Sequence, residues 1–299
     1  MLVMTGTGML GDYGITPLGL HYDIFRWSVI AKLCRCKLLF VSVGGGPIRH
    51  GLSRRFIRMA LALANYRSYR DAASKEYLEG IGINVKNDPV YPDLAFSLPI
   101  VVNHDPARQS IAIGIGVMNY HDRLDRRGSD ETIYHDYLER LASFVIRLLE
   151  SRYTVRVLIG DFVWDAGARR DLRRELEERG FNFKDGRIID ERASSVDELL
   201  SQLSSVDVVI SSRFHNLLLG LMLGKPVIAI SYHEKFQPLM TGVGLGEFFQ
   251  DIEHIDVDEL IRMVVKIQEN GPDIRLQIAR ETESYRIALD HQYEVMLKV

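Results

Sequence analysis

The stretch that decides the fold runs from Val206 to Lys235 and reads VDVVISSRFHNLLLGLMLGKPVIAISYHEK. A β-branched run ends at Ser211, an apolar helical pattern begins near Phe214, and a second apolar run, Val227–Ser231, ends in another polar cluster. Apolar runs that alternate with helical patterns are typical of βα units, which build a parallel sheet. The polar residues after each strand should then meet at the carboxyl edge of that sheet, where α/β proteins bind their ligands.

The same alternation extends in both directions and forms two series. The first series consists of predicted strands at Lys37–Val43 and Tyr66–Tyr69 and predicted helices at Ser53–Leu63 and Ala72–Glu79. The second consists of predicted strands at Ser110–Ile115, Thr154–Ile159, Val206–Ser211 and Val227–Ser231, with helices at Glu131–Ser151, Ala166–Arg179, Val196–Leu203 and from Phe214 on, before a helical C-terminal stretch.

The break between the two series lies around Leu98–Ala107, where the periodic pattern stops. We therefore predict an N-terminal Rossmann-like domain over residues 1–105 and a C-terminal Rossmann-like domain over residues 106–275, followed by a C-terminal helix over residues 276–299. The first series has few strands for a doubly wound domain, so we expect the N-terminal domain to be incomplete.

The composition excludes several classes of protein. The chain has 299 residues, 46% of them apolar and 26% charged, which is ordinary for a globular protein of about two domains. A net charge of −3 gives no basic field for nucleic acid. Only Cys34 and Cys36 could supply thiolates, and no run approaches the length of a membrane helix. We predict a soluble, cytoplasmic chain without a metal site, and peripheral membrane proximity is compatible with it; the sequence leaves the oligomeric state open.

The chemistry is expected at Ser212, Arg213, His215 and Lys235, which follow the two strands of the deciding stretch. A helix start carries a partial positive charge and favours anions. A guanidinium forks onto a carboxylate or phosphate, and an imidazole moves protons near neutral pH. The plainer alternative has equal weight on chemistry alone: Arg213 makes a structural ion pair, and His215 is a satisfied, partly buried histidine.

The run from Ser211 to Lys235 resembles the signature region of the polysaccharide pyruvyl transferase family. Upstream, Val41–Ile48 resembles the glycine-rich strand end of that family, Ser68–Ser74 resembles its Arg-Asp-x-x-Ser segment, and Asp93–Phe96 resembles its Asp-x-x-Phe element. The resemblance covers about residues 38–250. It implies a GT-B-like α/β architecture, in which two Rossmann-type domains face each other across a cleft.

The resemblance also implies an activity. A family member transfers the pyruvyl group of phosphoenolpyruvate to a sugar as a ketal and releases phosphate, with phosphoenolpyruvate as donor substrate and no cofactor. By motif position Arg213 and His215 are the catalytic candidates. The substrate-binding candidates are Arg70, Asp71, Ser212, Lys235, Gly44, Gly45 and Gly46. The acceptor sugar would be carried on a lipid, a nucleotide or a polymer.

Several of these positions have structural alternatives. Arg70 and Asp71 either contact the donor or pair with each other and cap the next helix. The glycine triad after the first strand either admits a ligand or makes a tight turn. Gly6, Gly8 and Gly11 match the dinucleotide spacing, but a lone glycine pattern of this kind is weak evidence for NAD.

Two further loops end at the predicted carboxyl edge. Residues 120–123 either touch the acceptor or form a solvated loop. Asp161, Trp164 and Asp165 either read a sugar, with the indole stacked on its ring, or pack over the edge of the sheet.

Two rival functions stay open at this point. A GT-B glycosyltransferase or nucleotide-sugar epimerase would hold a nucleotide diphosphate sugar at the same helix start, with Glu234 as a candidate for the ribose hydroxyls. A truncated member of the family would keep the fold as a non-catalytic binding module. The identity of the donor discriminates between these functions.

Overall fold

The computed structural model describes residues 1–298 except 7, 13–14, 101–109, 121–130 and 234. The chain divides into two units, each with its own parallel sheet. The first comprises Met1–Leu98 and the residues from Glu283 on, and the second comprises the described residues between Pro99 and Thr282. The domain boundary predicted at residues 105–106 falls outside the described residues.

The first unit has a three-stranded sheet with strand order β1-β2-β3, and each pair of neighbours is parallel. In chain order its elements are β1 (Leu2–Thr5), α1 (Tyr22–Leu33), β2 (Leu38–Val43), α2 (Gly51–Leu63), β3 (Tyr66–Tyr69) and α3 (Ala72–Gly80). A π-helical turn, Pro17–His21, leads into α1, and a 3-10 turn spans Leu94–Ser97.

The central strand β2 is buried on both faces of this sheet. Phe40 and Val43 join a core cluster that includes Ile24 of α1 and Ile57 of α2. Leu39 and Val41 point the other way and pack against Val295 and Met296 near the C-terminus. This alternation is the period of a strand. The helices α1 and α2 therefore cover one face, and the C-terminal residues cover the other.

The second unit has a six-stranded parallel sheet. In chain order its elements are β4 (Ala112–Val117), α4 (Glu131–Glu150), β5 (Thr154–Ile159), α5 (Asp165–Glu178), β6 (Ile188–Ile189), α6 (Val196–Ser204), β7 (Val208–Ser211), α7 (Phe214–Met222), β8 (Val227–Ser231), α8 (Phe236–Gly242), β9 (Phe249–Asp251), α9 (Val257–Glu269) and α10 (Gly271–Leu297), whose residues from Glu283 on belong to the first unit. The strand order is β6-β5-β4-β7-β8-β9.

This order creates a switch point between β4 and β7. The chain starts in the middle of the sheet at β4, moves outward to β6 on one side, and then returns to β7 on the other side of β4. The loops that leave β4 and β7 therefore turn in opposite directions, which opens a crevice at their carboxyl ends. Doubly wound sheets bind their ligands in this crevice.

The predicted alternation of strands and helices is confirmed. The strands predicted at Tyr66–Tyr69, Thr154–Ile159 and Val227–Ser231 have the predicted bounds. The pattern did not predict β1 or α1, because β1 has four residues and α1 has no continuous polar face that would reveal a helical period. No helix in the described part of the chain is long and apolar enough to cross a membrane.

Candidate functional site

The candidate site in the second unit lies at the switch point. Gly116 of β4 pairs with Ser211 of β7, so the carboxyl ends of the two strands lie side by side. Ser212 and Arg213 follow β7 directly, and His215 is in the first turn of α7. The structure therefore brings Ser212, Arg213 and His215 to the edge of the sheet that the sequence pattern predicts.

Arg213 forms a forked ion pair with Asp165, the first residue of α5. Arg213 Nε donates to Asp165 Oδ2 over 2.8 Å, and Nη2 donates to Oδ1. The Asp165 side chain has no exposed surface, whereas 23% of the Arg213 side chain is exposed. The structural ion pair, which was the plainer alternative for Arg213, is therefore present, and part of the Arg213 side chain still reaches the surface.

The carboxylate of Asp165 is held on all sides. It accepts backbone hydrogen bonds from Asn119 (3.1 Å), Gly160 (3.1 Å) and Asp161 (2.9 Å) in addition to those from Arg213. Burial disfavours the charged guanidinium, but the hydrogen bonds and charge of Asp165 outweigh it and raise the pKa of Arg213. Asp165 is thus fully occupied and does not read a sugar, the role considered for it above.

Gly116 allows this close packing. A Cβ atom at Gly116 would lie 2.0 Å from Ser211 Oγ and 2.7 Å from Asn216 Nδ2, which is far inside van der Waals contact. Ser211 Oγ in turn accepts from the backbone N–H of Arg213 over 3.0 Å. Glycine at this position therefore lets β7 and the start of α7 approach β4.

Asn216 is a polar residue of the site that the sequence pattern did not single out. Its side chain is fully buried against Gly116 and Gly160, and neither amide atom has a hydrogen-bond partner within the part of the chain that the structure describes. The one sequence signal for Asn216 is its place in the first turn of α7, because a single asparagine within an apolar helical run does not by itself indicate a site.

Ser212 is buried beneath the surface of the site. Its hydroxyl lies 3.2 Å from the hydroxyl of Tyr137 on α4. The Tyr137 hydroxyl accepts a hydrogen bond from the backbone N–H of Met118 over 3.2 Å. Burial raises the pKa of Tyr137 to about 12, so the phenol stays neutral. Ser212 therefore serves internal packing in this structure, and its predicted contact with substrate stays a prediction.

Lys235 places a cation among aromatic rings, one of which belongs to Phe214, the residue after Arg213. Its Nζ donates to the hydroxyl of Tyr232 over 3.1 Å and lies 5.1 Å from the ring centroid of Tyr232. The rings of Phe214 and Phe236 lie 5.6 and 5.7 Å from the same atom. His215 is exposed, and its ring lies edge-on to Phe214 with centroids 5.8 Å apart. Lys235 and His215 thus border the same aromatic side chain.

Arg70 and Asp71 lie together at the carboxyl end of β3, in the first unit. Arg70 Nε lies 3.4 Å from Asp71 Oδ2, and Nη1 lies 3.5 Å from Asp93 Oδ2. Asp71 caps α3, since its Oδ1 accepts from the backbone N–H of Ser74 over 2.6 Å. The pairing and capping alternative is therefore present, and a donor contact by either residue stays a prediction.

The glycine triad packs beneath Arg70. A Cβ at Gly44 would lie 2.8 Å from Arg70 Nη2, so no other residue fits there without moving the guanidinium. Gly44 O accepts from the backbone N–H of Leu10 over 3.1 Å, and Gly45 O accepts from Ser74 Oγ over 3.1 Å. Gly46 lies beside Gly11. The triad is thus packed against the chain that follows β1, and ligand binding by it stays a prediction.

The loops that begin at Tyr120 and at Asp161 differ in the exposure of their aromatic residue. Tyr120 is buried, and its hydroxyl donates to Glu253 Oε1 over 2.7 Å. Residues 121–123 and Glu234 lie outside the described residues. Asp161 Oδ1 accepts from the backbone N–H groups of Val163 and Trp164 in a tight turn. Trp164 is 60% exposed, so it does not pack over the edge of the sheet.

Within the described residues no cluster of three or more His, Cys, Asp or Glu side chains could hold a metal ion. The second unit also has a groove of about 730 Å³ between α4 and residues 253–258. None of the predicted site residues lines it.

The chain is similar to known families and proteins. A family model described as polysaccharide pyruvyl transferase matches residues 1–234. The amylovoran biosynthesis protein AmsJ of Erwinia amylovora is 23% identical over 277 residues, which cover 88% of this chain and 65% of AmsJ. The chain therefore spans less than two thirds of the length of that relative.

Solved structures support the fold. The Anabaena protein Alr3699/HepE in complex with UDP and glucose has a TM-score of 0.56 at 14% identity, with 93% of this chain and 76% of that chain covered. UDP-GlcNAc 2-epimerase from Neisseria meningitidis bound to UDP-GlcNAc has a TM-score of 0.57 at 12% identity, with 95% and 82% covered. At such identities the likeness shows the fold alone, and it confirms the predicted GT-B-like α/β class.

Proposed function

The chain belongs to the polysaccharide pyruvyl transferase family, and on that premise we propose that it transfers the pyruvyl group of phosphoenolpyruvate to a sugar. The family is one of transferases, and AmsJ places a relative in polysaccharide biosynthesis. The observation that carries the proposal is the guanidinium of Arg213, which Asp165 fixes at the start of α7 beside the exposed His215. Phosphoenolpyruvate as donor, a sugar as acceptor and a ketal as product all belong to the proposal.

Arg213 supports the binding of an anionic donor. Its Nε and Nη2 are committed to Asp165, and Nη1 makes no hydrogen bond to any residue that the structure describes. A carboxylate or phosphate oxygen of phosphoenolpyruvate can accept from Nη1 while the ion pair holds the guanidinium plane in place. The start of α7 and the ammonium of Lys235 add positive potential at the same edge.

His215 is the proposed general acid. It protonates the methylene carbon of phosphoenolpyruvate, which becomes the methyl group, and the adjacent carbon becomes electrophilic. One sugar hydroxyl attacks that carbon, and a second hydroxyl of the same sugar displaces phosphate and closes the cyclic ketal. Two hydroxyl protons are released: one restores the acid that formed the methyl group, and the other leaves on phosphate. The cations of the site stabilise the charge that develops.

The remaining features of the proposal follow from the donor. The reaction is a group transfer without change of oxidation state, so no cofactor is proposed. Phosphoenolpyruvate carries a phosphate and a carboxylate and does not cross a bilayer unaided, so a location on the cytoplasmic side, where this donor is made, belongs to the proposal. The acceptor sugar is carried on a lipid, a nucleotide or a polymer, and Trp164 offers an exposed ring on which it could stack.

Calorimetric titration of the chain with phosphoenolpyruvate, UDP, UDP-sugars and GDP-sugars tests the proposal. We expect binding of phosphoenolpyruvate that Arg213→Ala abolishes and His215→Ala largely retains. Because Arg213→Ala leaves the buried Asp165 unpaired, Arg213→Lys serves as a second variant that keeps the charge but loses the fork. Arg169→Lys is its matched control, since Arg169 also forms a largely buried ion pair, with Asp190, elsewhere in the second unit.

The outcomes separate the three functions. Loss of binding in both Arg213 variants, with binding kept in the Arg169 control, supports the donor site. Binding of a nucleotide sugar alone moves the chain to the glycosyltransferases or epimerases. Binding of phosphoenolpyruvate without phosphate release in the presence of any acceptor sugar favours a non-catalytic binding module.

A further inference from the structure

The outer surface of α1 and α2 is apolar where a surface helix is normally polar. We call it the α1–α2 face and define it by Tyr22, Trp27, Ile30 and Leu33 of α1 and Leu52 and Met59 of α2. All six side chains are exposed, with 78% of Leu33 and 49% of Trp27 accessible to solvent. These are the residue types that proteins ordinarily bury.

The helical spacing places exposed apolar residues on the side of α1 that faces away from the sheet. Ile24, Ser28 and Ala31 face the sheet. Tyr22, Ile30 and Leu33 lie on the opposite side, where surface helices normally carry polar residues. The helix α9 of similar length follows that norm, because its buried side is apolar and its outer side carries charges such as Arg262.

The segment that carries the α1–α2 face is also strongly cationic. Between residues 17 and 63 the chain has eight Lys and Arg residues and a single acidic residue, Asp23, although the whole chain carries a net charge of −3. Asp23 is paired with Arg26 over 2.9 Å, so its charge is locally neutralised. Arg55 is exposed on α2, and Arg35 is exposed two residues after the end of α1. The segment that carries the α1–α2 face is thus poor in acidic residues and has a net positive charge, in contrast to the chain as a whole.

The two helices form a rigid platform. The ring of Phe56 on α2 stacks on Phe25 of α1 with centroids 5.5 Å apart and contacts the ring of Tyr22 at the same distance. Arg26 lies 5.8 Å from the ring of Trp27, which places a cation beside the largest side chain of the α1–α2 face. A surface that is preformed in this way loses little conformational freedom when it binds.

From this combination we propose that the α1–α2 face docks onto an anionic phospholipid bilayer. An apolar face with aromatic residues inserts at the boundary between head groups and acyl chains, and the surrounding cations attract anionic lipids. The charge favours this occupant over a second copy of the chain, because self-association would bring two cationic surfaces together. The proposal goes beyond pyruvyl transfer and does not depend on it.

The chain has two tryptophans, and only Trp27 is on this face. In the variant Trp164→Phe, Trp27 is the sole tryptophan, and its emission should shift to shorter wavelength when vesicles of equal parts phosphatidylglycerol and phosphatidylcholine are added. In the reciprocal variant Trp27→Phe, the emission of Trp164 should not shift. Vesicles of phosphatidylcholine alone should give a much smaller shift.

Charge and apolar variants separate the two parts of the interaction in vesicle flotation. At about fivefold per removed charge, the double variant Arg35→Gln with Arg55→Gln should bind about twenty-five-fold more weakly, and this loss should shrink at high salt. Ile30→Ser should weaken binding at every salt concentration. The matched controls are Lys184→Gln with Arg280→Gln for charge and Ile287→Ser for the apolar residue, all exposed and outside the face.

Three outcomes would overturn the proposal. The first is equal binding to anionic and neutral vesicles. The second is an effect of the control variants as large as that of the face variants. The third is a Trp27 emission that shifts with protein concentration in the absence of vesicles, since that would make the α1–α2 face a contact between copies of the chain.

Discussion

Replacing Asp165 by Asn tests whether the buried ion pair organises the candidate site. The substitution keeps the shape of the side chain and removes its charge. Asp165 accepts five hydrogen bonds, three from backbone N–H groups and two from Arg213. All five donors point at carboxylate oxygens, so the N–H₂ group of an asparagine must face some of them.

The expected loss in the free energy of unfolding follows from how the five donors are divided between the two carboxylate oxygens of Asp165. Oδ2 accepts from Gly160, Asp161 and Arg213 Nε, and Oδ1 accepts from Asn119 and Arg213 Nη2. The better orientation of Asn keeps its oxygen on the first side and turns its amide toward the other two donors. Two hydrogen bonds are then lost, together with the negative charge that compensates Arg213, which should lower the free energy of unfolding by about 3–5 kcal/mol.

Urea unfolding followed by fluorescence measures this loss. In the Trp27→Phe background the only tryptophan is Trp164, which precedes Asp165 and reports on the second unit. The control is Asp258→Asn, which breaks an exposed ion pair with Arg147 and should leave the urea midpoint almost unchanged. If both variants shift the midpoint equally, the ion pair does not organise the site, and the reasoning is refuted.

The remaining predictions concern packing and pH. Gly116→Ala should lower the free energy of unfolding by about 1–3 kcal/mol in the same assay, because its Cβ would lie 2.0 Å from Ser211 Oγ; Gly167→Ala, which has open space on α5, is the control and should be neutral or stabilising. Burial lowers the pKa of His21, against the opposing effects of its hydrogen bond to Gly11 O and the charge of nearby Asp12. The unfolded chain therefore binds the proton first, and stability should fall as pH drops below about 6.5. His21→Gln should flatten this dependence in urea titrations of the Trp164→Phe background, and an unchanged slope would show that other groups cause it.

Much of the fold could be predicted because its strands follow a simple rule. Buried parallel strands are continuous apolar runs, and Thr154–Ile159 and Val227–Ser231 were predicted with the bounds that the structure has. α1 could not be predicted in this way, since apolar residues on its outer face hide the period of a helix. The feature that concealed α1 in the sequence is the one that makes the α1–α2 face distinctive in the structure.

The position of the candidate site could also be predicted, because it depends only on which residues follow each strand. The roles of individual residues depend on strand order, which no local pattern encodes. Ser212 follows β7 as predicted, yet its hydroxyl faces the buried Tyr137, which comes from a helix 75 residues away. Lys235 follows β8 as predicted, and the rings around it come from both α7 and α8.

For Arg213, a structural ion pair and a ligand contact were two alternatives, and the structure makes them compatible. Asp165 lies 48 residues earlier in the chain and reaches Arg213 only because β4, β5 and β7 are neighbours in the sheet. An unpaired arginine at this edge would give a stronger positive potential, but its long side chain would have to lose rotamer freedom when a ligand binds. Paired with a buried carboxylate, Arg213 has already lost that freedom, and its guanidinium has a fixed direction. The ion pair therefore supports an anion site: Asp165 reduces the positive potential but fixes the orientation of the guanidinium. The start of α7 and Lys235 supply further positive potential.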